Sequence, residues 1–263
     1  MRSPARKDSA PRAEVTAWRM VWMAATITLV LGGCLLVWSR LEQFLMRDPR
    51  FALNGADGSA DMQTLEVSGA AHASRRQIEL VFAEDSGRSV YLMPLNDRRA
   101  TLRTVEWVKD ASISRVWPNR VLVKIHERTP VAFVELPRSK FALIDEDGVI
   151  LPPAADRFEV PVLTGVRSSD VPADRRDRVH RMIRLMRELG DASSKISGVD
   201  VSDPDNLKVT QPLDGRVVTL LLGDQNWGAR YQNFVRSYPQ IKQRLPDATK
   251  LDMRLEDRIT VVE

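Results

Sequence analysis

WVKDASISRVWPNRVLVKIHERTPVA, residues 107–132, holds two extended runs joined by a turn. In 120–127 the alternation is clean. Val121, Val123 and Ile125 fall on one side, and Leu122, Lys124 and His126 on the other, as in a half-buried strand. Residues 108–116 alternate more loosely through Ala111, Ile113 and Arg115. Trp117-Pro118-Asn119-Arg120 reads as the turn between them, with Pro118 fixing the corner and the Trp117 indole expected to cover the sheet. Glu127 and Arg128 read as a local ion pair rather than an acid/base couple. Pro130 ends the second run and sets the path into whatever follows.

Upstream, 65–67 reads as a short strand stopped by Gly69. Ser74 is placed to cap a helix, with Gln77 three residues on as its capping-box partner, and Ile78, Val81 and Phe82 recur at helical spacing. Asp85-Ser86-Gly87 closes that helix. Asn96 or Asp97 caps a second one, with Leu102 and Val105 on its inner side. The order β-α-α-β-β over residues 62–127 predicts a small α+β unit, two helices on one face of a three-stranded sheet.

Downstream, 128–263 predicts a mixed β-sheet domain with flanking helices. Strands are expected at 131–136, 141–145 and 149–151, the last two joined by a turn at Asp145-Glu146-Asp147-Gly148. A short extended piece at 161–163 precedes a helix over 173–189, which starts after Pro172 and ends at Gly190. Its apolar face is Val179, Ile183, Leu185, Met186 and Leu189. Strands return at 199–202, 207–210 and 216–222, a helix spans 227–245, and strands at 251–255 and 258–262 close the domain.

At the other end, residues 20–38 carry no charge, and roughly 20 apolar residues suffice to cross a hydrocarbon core. Trp18, Trp22 and Trp38 flank the run, and the preceding tail holds Arg2, Arg6, Lys7, Arg12 and Arg19 against Asp8 and Glu14. This arrangement predicts a cytoplasmic tail over 1–19, a single transmembrane helix over 20–38, a connector over 39–61 and the two modules across the membrane. Leu31-Gly32-Gly33-Cys34 has the look of a lipidation box. In such a box the cysteine ends the apolar run, whereas here the run continues to Trp38.

Composition narrows the function. Of 263 residues, 43% are apolar and 28% charged, enough to fold most of the chain, and the small excess of 39 basic over 35 acidic residues is spread out, with no concentrated basic face for nucleic acid outside the N-terminal tail. Cys34 is the one cysteine and lies in the apolar run. His72, His126 and His180 lack metal-ligand spacing. No glycine-rich phosphate loop or nucleophile elbow is present, so the reading is of a protein without catalytic, cofactor or metal residues.

The quoted stretch also carries a resemblance. Trp107-Val108, Ala111, Arg115, Trp117-Pro118-Asn119, Val121, Val123, Ile125, Glu127-Arg128 and Pro130-Val131-Ala132 resemble the FtsQ/DivIB family of bacterial cell-division proteins. Leu143-Ile144-Asp145 with Gly148-Val149 and Leu151, then Leu163-Thr164-Gly165, Leu221-Leu222-Gly223 and 251–254, follow in the family's order. The resemblance implies a POTRA domain over 62–127 and an FtsQ-type β domain over 128–263, in a single-pass type II protein of the cytoplasmic membrane at the division septum. It implies a divisome scaffold that binds the division proteins FtsB and FtsL and helps control septal peptidoglycan synthesis. A POTRA-bearing envelope assembly factor or a periplasmic lipoprotein is the alternative.

The FtsB-type contact is expected by strand addition at the last strand pair, through Arg254, Leu255, Arg258, Ile259 and Val261. Arg254 would meet an acidic partner residue. The apolar side chains either face the partner or pack into the domain core. Some members of the family carry an aromatic where Leu255 stands. Gly69, Trp117, Pro118, Glu127, Arg128, Pro130, Asp145 and Gly148 are read as structural.

Overall fold

The structure, a computed structural model, describes residues 13–53, 64–137, 140–255 and 258–262. The basic residues before Arg12 and Arg12 itself, the glycines at 55 and 58, and the Glu256-Asp257 turn lie outside the described residues. Packing divides the chain into two units. The first takes the described residues within 1–68, 78–101 and 112–124; the second takes 69–77, 102–111 and those within 125–263.

A single helix, α1 (Ala13–Arg47), runs through the apolar segment, past Cys34 and on into the connector. Its apolar stretch Trp18–Phe44 is long enough to cross a membrane, and its most apolar window holds no buried residue; at 1.5 Å per residue the stretch measures about 40 Å. Thr26 and Thr28 return their hydroxyls to the carbonyls of Trp22 and Ala24 at 3.0 and 2.9 Å, so these polar groups are satisfied within the helix. Pro49 follows the end of α1. Leu53 is then fully buried, donating its N–H to the Arg88 carbonyl at 2.9 Å and accepting from Gly87 N–H at 2.8 Å.

The first module has the expected order: β1 (Leu65–Ser68), α2 (Arg75–Val81), α3 (Leu95–Leu102), β2 (Val108–Val116) and β3 (Arg120–Glu127). Ser74 caps α2, its hydroxyl accepting Gln77 N–H at 3.4 Å. The sheet order is β1-β3-β2, with β1 parallel to β3. Val121, Val123 and Ile125 are buried, as their alternation requires, and Ile78, Phe82 and Leu102 on the helices are buried too. Each such side chain contributes about 1.5–3 kcal/mol. Gly69 has φ 76°, and a Cβ there would collide with the Ile125 carbonyl oxygen, so the strand stop demands glycine.

The second module is built on a nine-stranded sheet. Its strands are β4 (Pro130–Leu136), β5 (Lys140–Asp145), β6 (Ile150–Leu151), β7 (Val162–Thr164), β8 (Gly198–Asp200), β9 (Leu207–Leu213), β10 (Arg216–Gly223), β11 (Lys250–Asp252) and β12 (Thr260–Val261). Their spatial order is β12-β11-β10-β9-β8-β7-β4-β5-β6, with parallel pairs at β4·β7, β7·β8 and β10·β11. Helices α4 (Pro172–Leu189) and α5 (Trp227–Arg244) contribute Val179, Met182, Leu185, Leu189, Trp227, Tyr231 and Phe234 to one core with Ala132, Val134, Ile144, Leu220 and Leu251. Met182 is on the buried stripe, and Ile183 and Met186 are half-buried beside it.

Two local readings need correction. Trp117 does not cover the sheet: it is 58% exposed and meets Phe51 edge-on at 5.2 Å. Nor do Glu127 and Arg128 pair with each other. Successive residues at a strand end point to opposite sides, and each finds another partner. Arg128 Nη1 lies 2.5 Å from Asp145 Oδ2, at the turn between β5 and β6.

Candidate partner-binding edge and junction

β12 is the outer strand of the large sheet among the described residues. It pairs antiparallel with β11, Val261 opposite Leu251 and Thr260 opposite Asp252, and Val262 N–H donates to the Lys250 carbonyl at 3.0 Å. Backbone groups alternate sides along a strand. The Thr260 N–H therefore points inward with that of Val262, while the Val261 N–H points away from β11.

The edge is shorter than the sequence suggests, with regular pairing confined to 250–252 and 260–261. Between these strands, Met253 turns inward, fully buried, and its N–H donates to the Leu221 carbonyl at 2.9 Å. Ile259 also packs against the core. Leu255 and Val261 remain exposed apolar side chains, and Arg258 is exposed. Arg254 folds back on its own strand. Its Nη2 lies 2.6 Å from Asp252 Oδ2 and its Nε 3.0 Å from Oδ1. The guanidinium holds the Asp252 carboxyl below the usual carboxylate range, against the opposing effect of burial.

A second constellation, within the second unit, joins 69–77 to the residues after β3. Glu127 Oε1 accepts the N–H groups of Ala71, His72 and Ala73 at 2.8, 2.7 and 2.7 Å. His72 Nδ1 lies 2.8 Å from Glu127 Oε2, and its Nε2 lies 2.8 Å from Asp156 Oδ2. The imidazole stacks on Trp107 at 4.6 Å, and Phe158 packs on both rings. Trp107 has φ 69°, a conformation costing an aromatic residue about 1–3 kcal/mol unless its surroundings enforce it. Glu127 first, then Asp156, hold the His72 pKa above its ordinary value. Burial would raise the Glu127 carboxyl, but the Ala73 N–H, the His72 ring and the neighbouring N–H groups together keep it low.

Sequence reasoning missed this junction because Asp156 and Phe158 lie in a loop with no periodicity. Asp145 and Gly148 were legible as turn residues, and they also serve packing. Asp145 is buried, accepting Val149 N–H at 2.8 Å and pairing with Arg128. Gly148 has φ 75°, and a Cβ there would lie 2.7 Å from Arg176 N. Among the described residues, no group of three or more His, Cys, Asp or Glu side chains is placed to hold a metal.

The β-α-α-β-β module followed by an open mixed sheet defines a POTRA-bearing protein. Residues 61–128 match the model of the FtsQ-type POTRA domain, and residues 132–254 match that of the C-terminal domain of cell division protein FtsQ/DivIB. The chain belongs to the FtsQ/DivIB family of cell-division proteins. It is 32% identical over 241 residues to cell division protein FtsQ of Koribacter versatilis, covering 89% of this chain and 66% of the relative. The FtsQ protein of Myxococcus fulvus is 27% identical, over 56% of this chain and 49% of its own length. For that of Rhodothermus marinus the identity is 26%, over 100% and 91%. The chain thus spans just under two thirds of the first relative and about half of the second. The extracytoplasmic domain of DivIB from Geobacillus stearothermophilus is 18% identical, covering 46% of this chain and 96% of its own, with a TM-score of 0.26.

Proposed function

We propose that this protein is a non-enzymatic scaffold of the division machinery, held by α1 in the cytoplasmic membrane as a single-pass type II protein at the septum. Its outer strand captures FtsB, and with FtsL it links membrane division proteins to the control of septal peptidoglycan synthesis. The observation that carries this reading is the edge at β12. The outward N–H of Val261 stands beside the exposed apolar side chains of Leu255 and Val261. An extended partner segment adding there gains main-chain hydrogen bonds for affinity and side-chain contacts for register.

Arg254 frames the edge rather than reaching for a partner, since Asp252 already holds it. The partner contact therefore rests on the apolar side chains of Leu255 and Val261, with Ile259 supporting the strand from beneath. Deleting 258–263 from the full chain and co-purifying with FtsB tests this. Loss of FtsB with an intact first module is expected; normal recovery of FtsB overturns the reading.

A further inference from the structure

Trp117 presents an aromatic surface that is 58% exposed. Tyr91 and Leu92 are about half exposed beside it, with Tyr91 6.4 Å from the Trp117 ring. On the other side the rings run in series to the end of α1: Trp117 to Phe51 at 5.2 Å, then Phe51 to Phe44 at 5.7 Å, with the Arg50 guanidinium 5.7 Å over Phe44. Trp38, Leu41 and Glu42 of α1 line one small crevice together with Tyr91. All of these residues belong to the first unit.

The patch is rigid. Arg115, near the end of β2, donates from Nε to the Val90 carbonyl at 2.7 Å and from Nη2 to the Met93 carbonyl at 2.6 Å. The loop carrying Tyr91 and Leu92 is thereby tied to the strand that leads into Trp117. Side chains this apolar, clustered and held in place, mark an interaction surface.

Position identifies the partner. The apolar stretch of α1, Trp18–Phe44, exceeds the roughly 30 Å of a hydrocarbon core. Its last turns therefore lie in the headgroup layer, the depth at which indole and phenol rings are most favourable. Tyr91 shares a crevice with that part of the helix, and Trp117 lies next to Tyr91. We infer that Trp117, Tyr91 and Leu92 dock into the lipid headgroup layer around the exit of α1, so that the bilayer surface itself holds the first module's tip. This inference rests on α1 spanning the membrane.

The test uses the full chain in phosphatidylcholine/phosphatidylglycerol vesicles, with an environment-sensitive fluorophore on single cysteines. Native Cys34 reports the anchor. In a Cys34→Ser background, Trp117→Cys and Leu92→Cys report the patch. Lys124→Cys, four residues up β3 from Arg120, is the water-facing reference. The expected result is blue-shifted emission at 117 and 92, quenched best by lipids brominated near the headgroup, with Cys34 quenched best by deeply brominated lipids. If 117 and 92 match Lys124 while Cys34 contacts lipid, the docking inference fails alone. If Cys34 is also in water, the anchor reading fails with it. Two patch sites guard against a single variant that misfolds.

Discussion

Arg254 bends back onto Asp252, its guanidinium bonding both carboxylate oxygens two residues away on the same edge. The pair leaves Leu255 and Val261 as the open apolar contacts of the outer strand. Substituting exposed residues away from the core typically changes stability by about 0.5 kcal/mol or less. Leu255→Glu and Val261→Glu are therefore expected to reduce FtsB binding strongly with little change in melting temperature, whereas Arg254→Ala reduces it less. Calorimetric titration of the three variants checks this ranking; Arg254→Ala as the most damaging change would contradict it.

Asp145 is almost wholly buried, and Arg128 is its charged partner at 2.5 Å. Removing one member of a buried pair strands the other, at a cost of about 3–5 kcal/mol. Arg128→Ala should accordingly destabilise the second module by that order in denaturant titrations of the full chain in detergent. A change below 1 kcal/mol would mean that the Val149 N–H alone satisfies Asp145.

His72 faces Glu127 and Asp156 with both ring nitrogens, its flanks covered by Trp107 and Phe158. Its pKa is raised in the folded protein. The stabilisation is therefore complete below the free value of about 6.5 and is lost as pH rises through the raised value. Glu127 works in the opposite sense, its lowered pKa giving stability present above about 4.5 and lost as pH falls through the folded value. The melting-temperature gap between the wild type and His72→Gln should be widest near pH 6 and narrow at alkaline pH. Parallel curves for the two proteins would remove His72 from the account.

Much of this architecture was legible because its signals are local. Ser74 and Gln77 bounded α2, Pro172 and Gly190 bounded α4, Asp145 to Gly148 marked a turn, and strict alternation placed Val121, Val123 and Ile125 inward. Strand pairing was not legible. Nothing in 65–68 says that β1 lies parallel to β3, and the nine-strand order depends on contacts distant in sequence. Trp117 misled for a related reason. A tryptophan at a turn is apolar enough to bury, and only the proximity of Phe51 and α1 shows why it stays at the surface. At the edge, composition marked β-prone runs, but tertiary packing decided that Met253 and Ile259 turn inward while Leu255 and Val261 do not.

The proposed type II orientation rests on the basic tail that precedes the apolar helix, since arginines and lysines favour the cytoplasmic side. A periplasmically active reporter fused after Glu263 should be active and the same reporter fused before Met1 inactive. The reverse pattern would invert the topology.

The outward N–H of Val261 is the feature on which strand capture depends. Hydrogen exchange of the 258–262 amides, measured on the full chain with and without bound FtsB, tests it most directly. The account predicts that the Val261 amide slows markedly in the complex, while those of Thr260 and Val262, already turned toward β11, change little. A stable complex in which the Val261 amide exchanges as fast as in the free protein would contradict it.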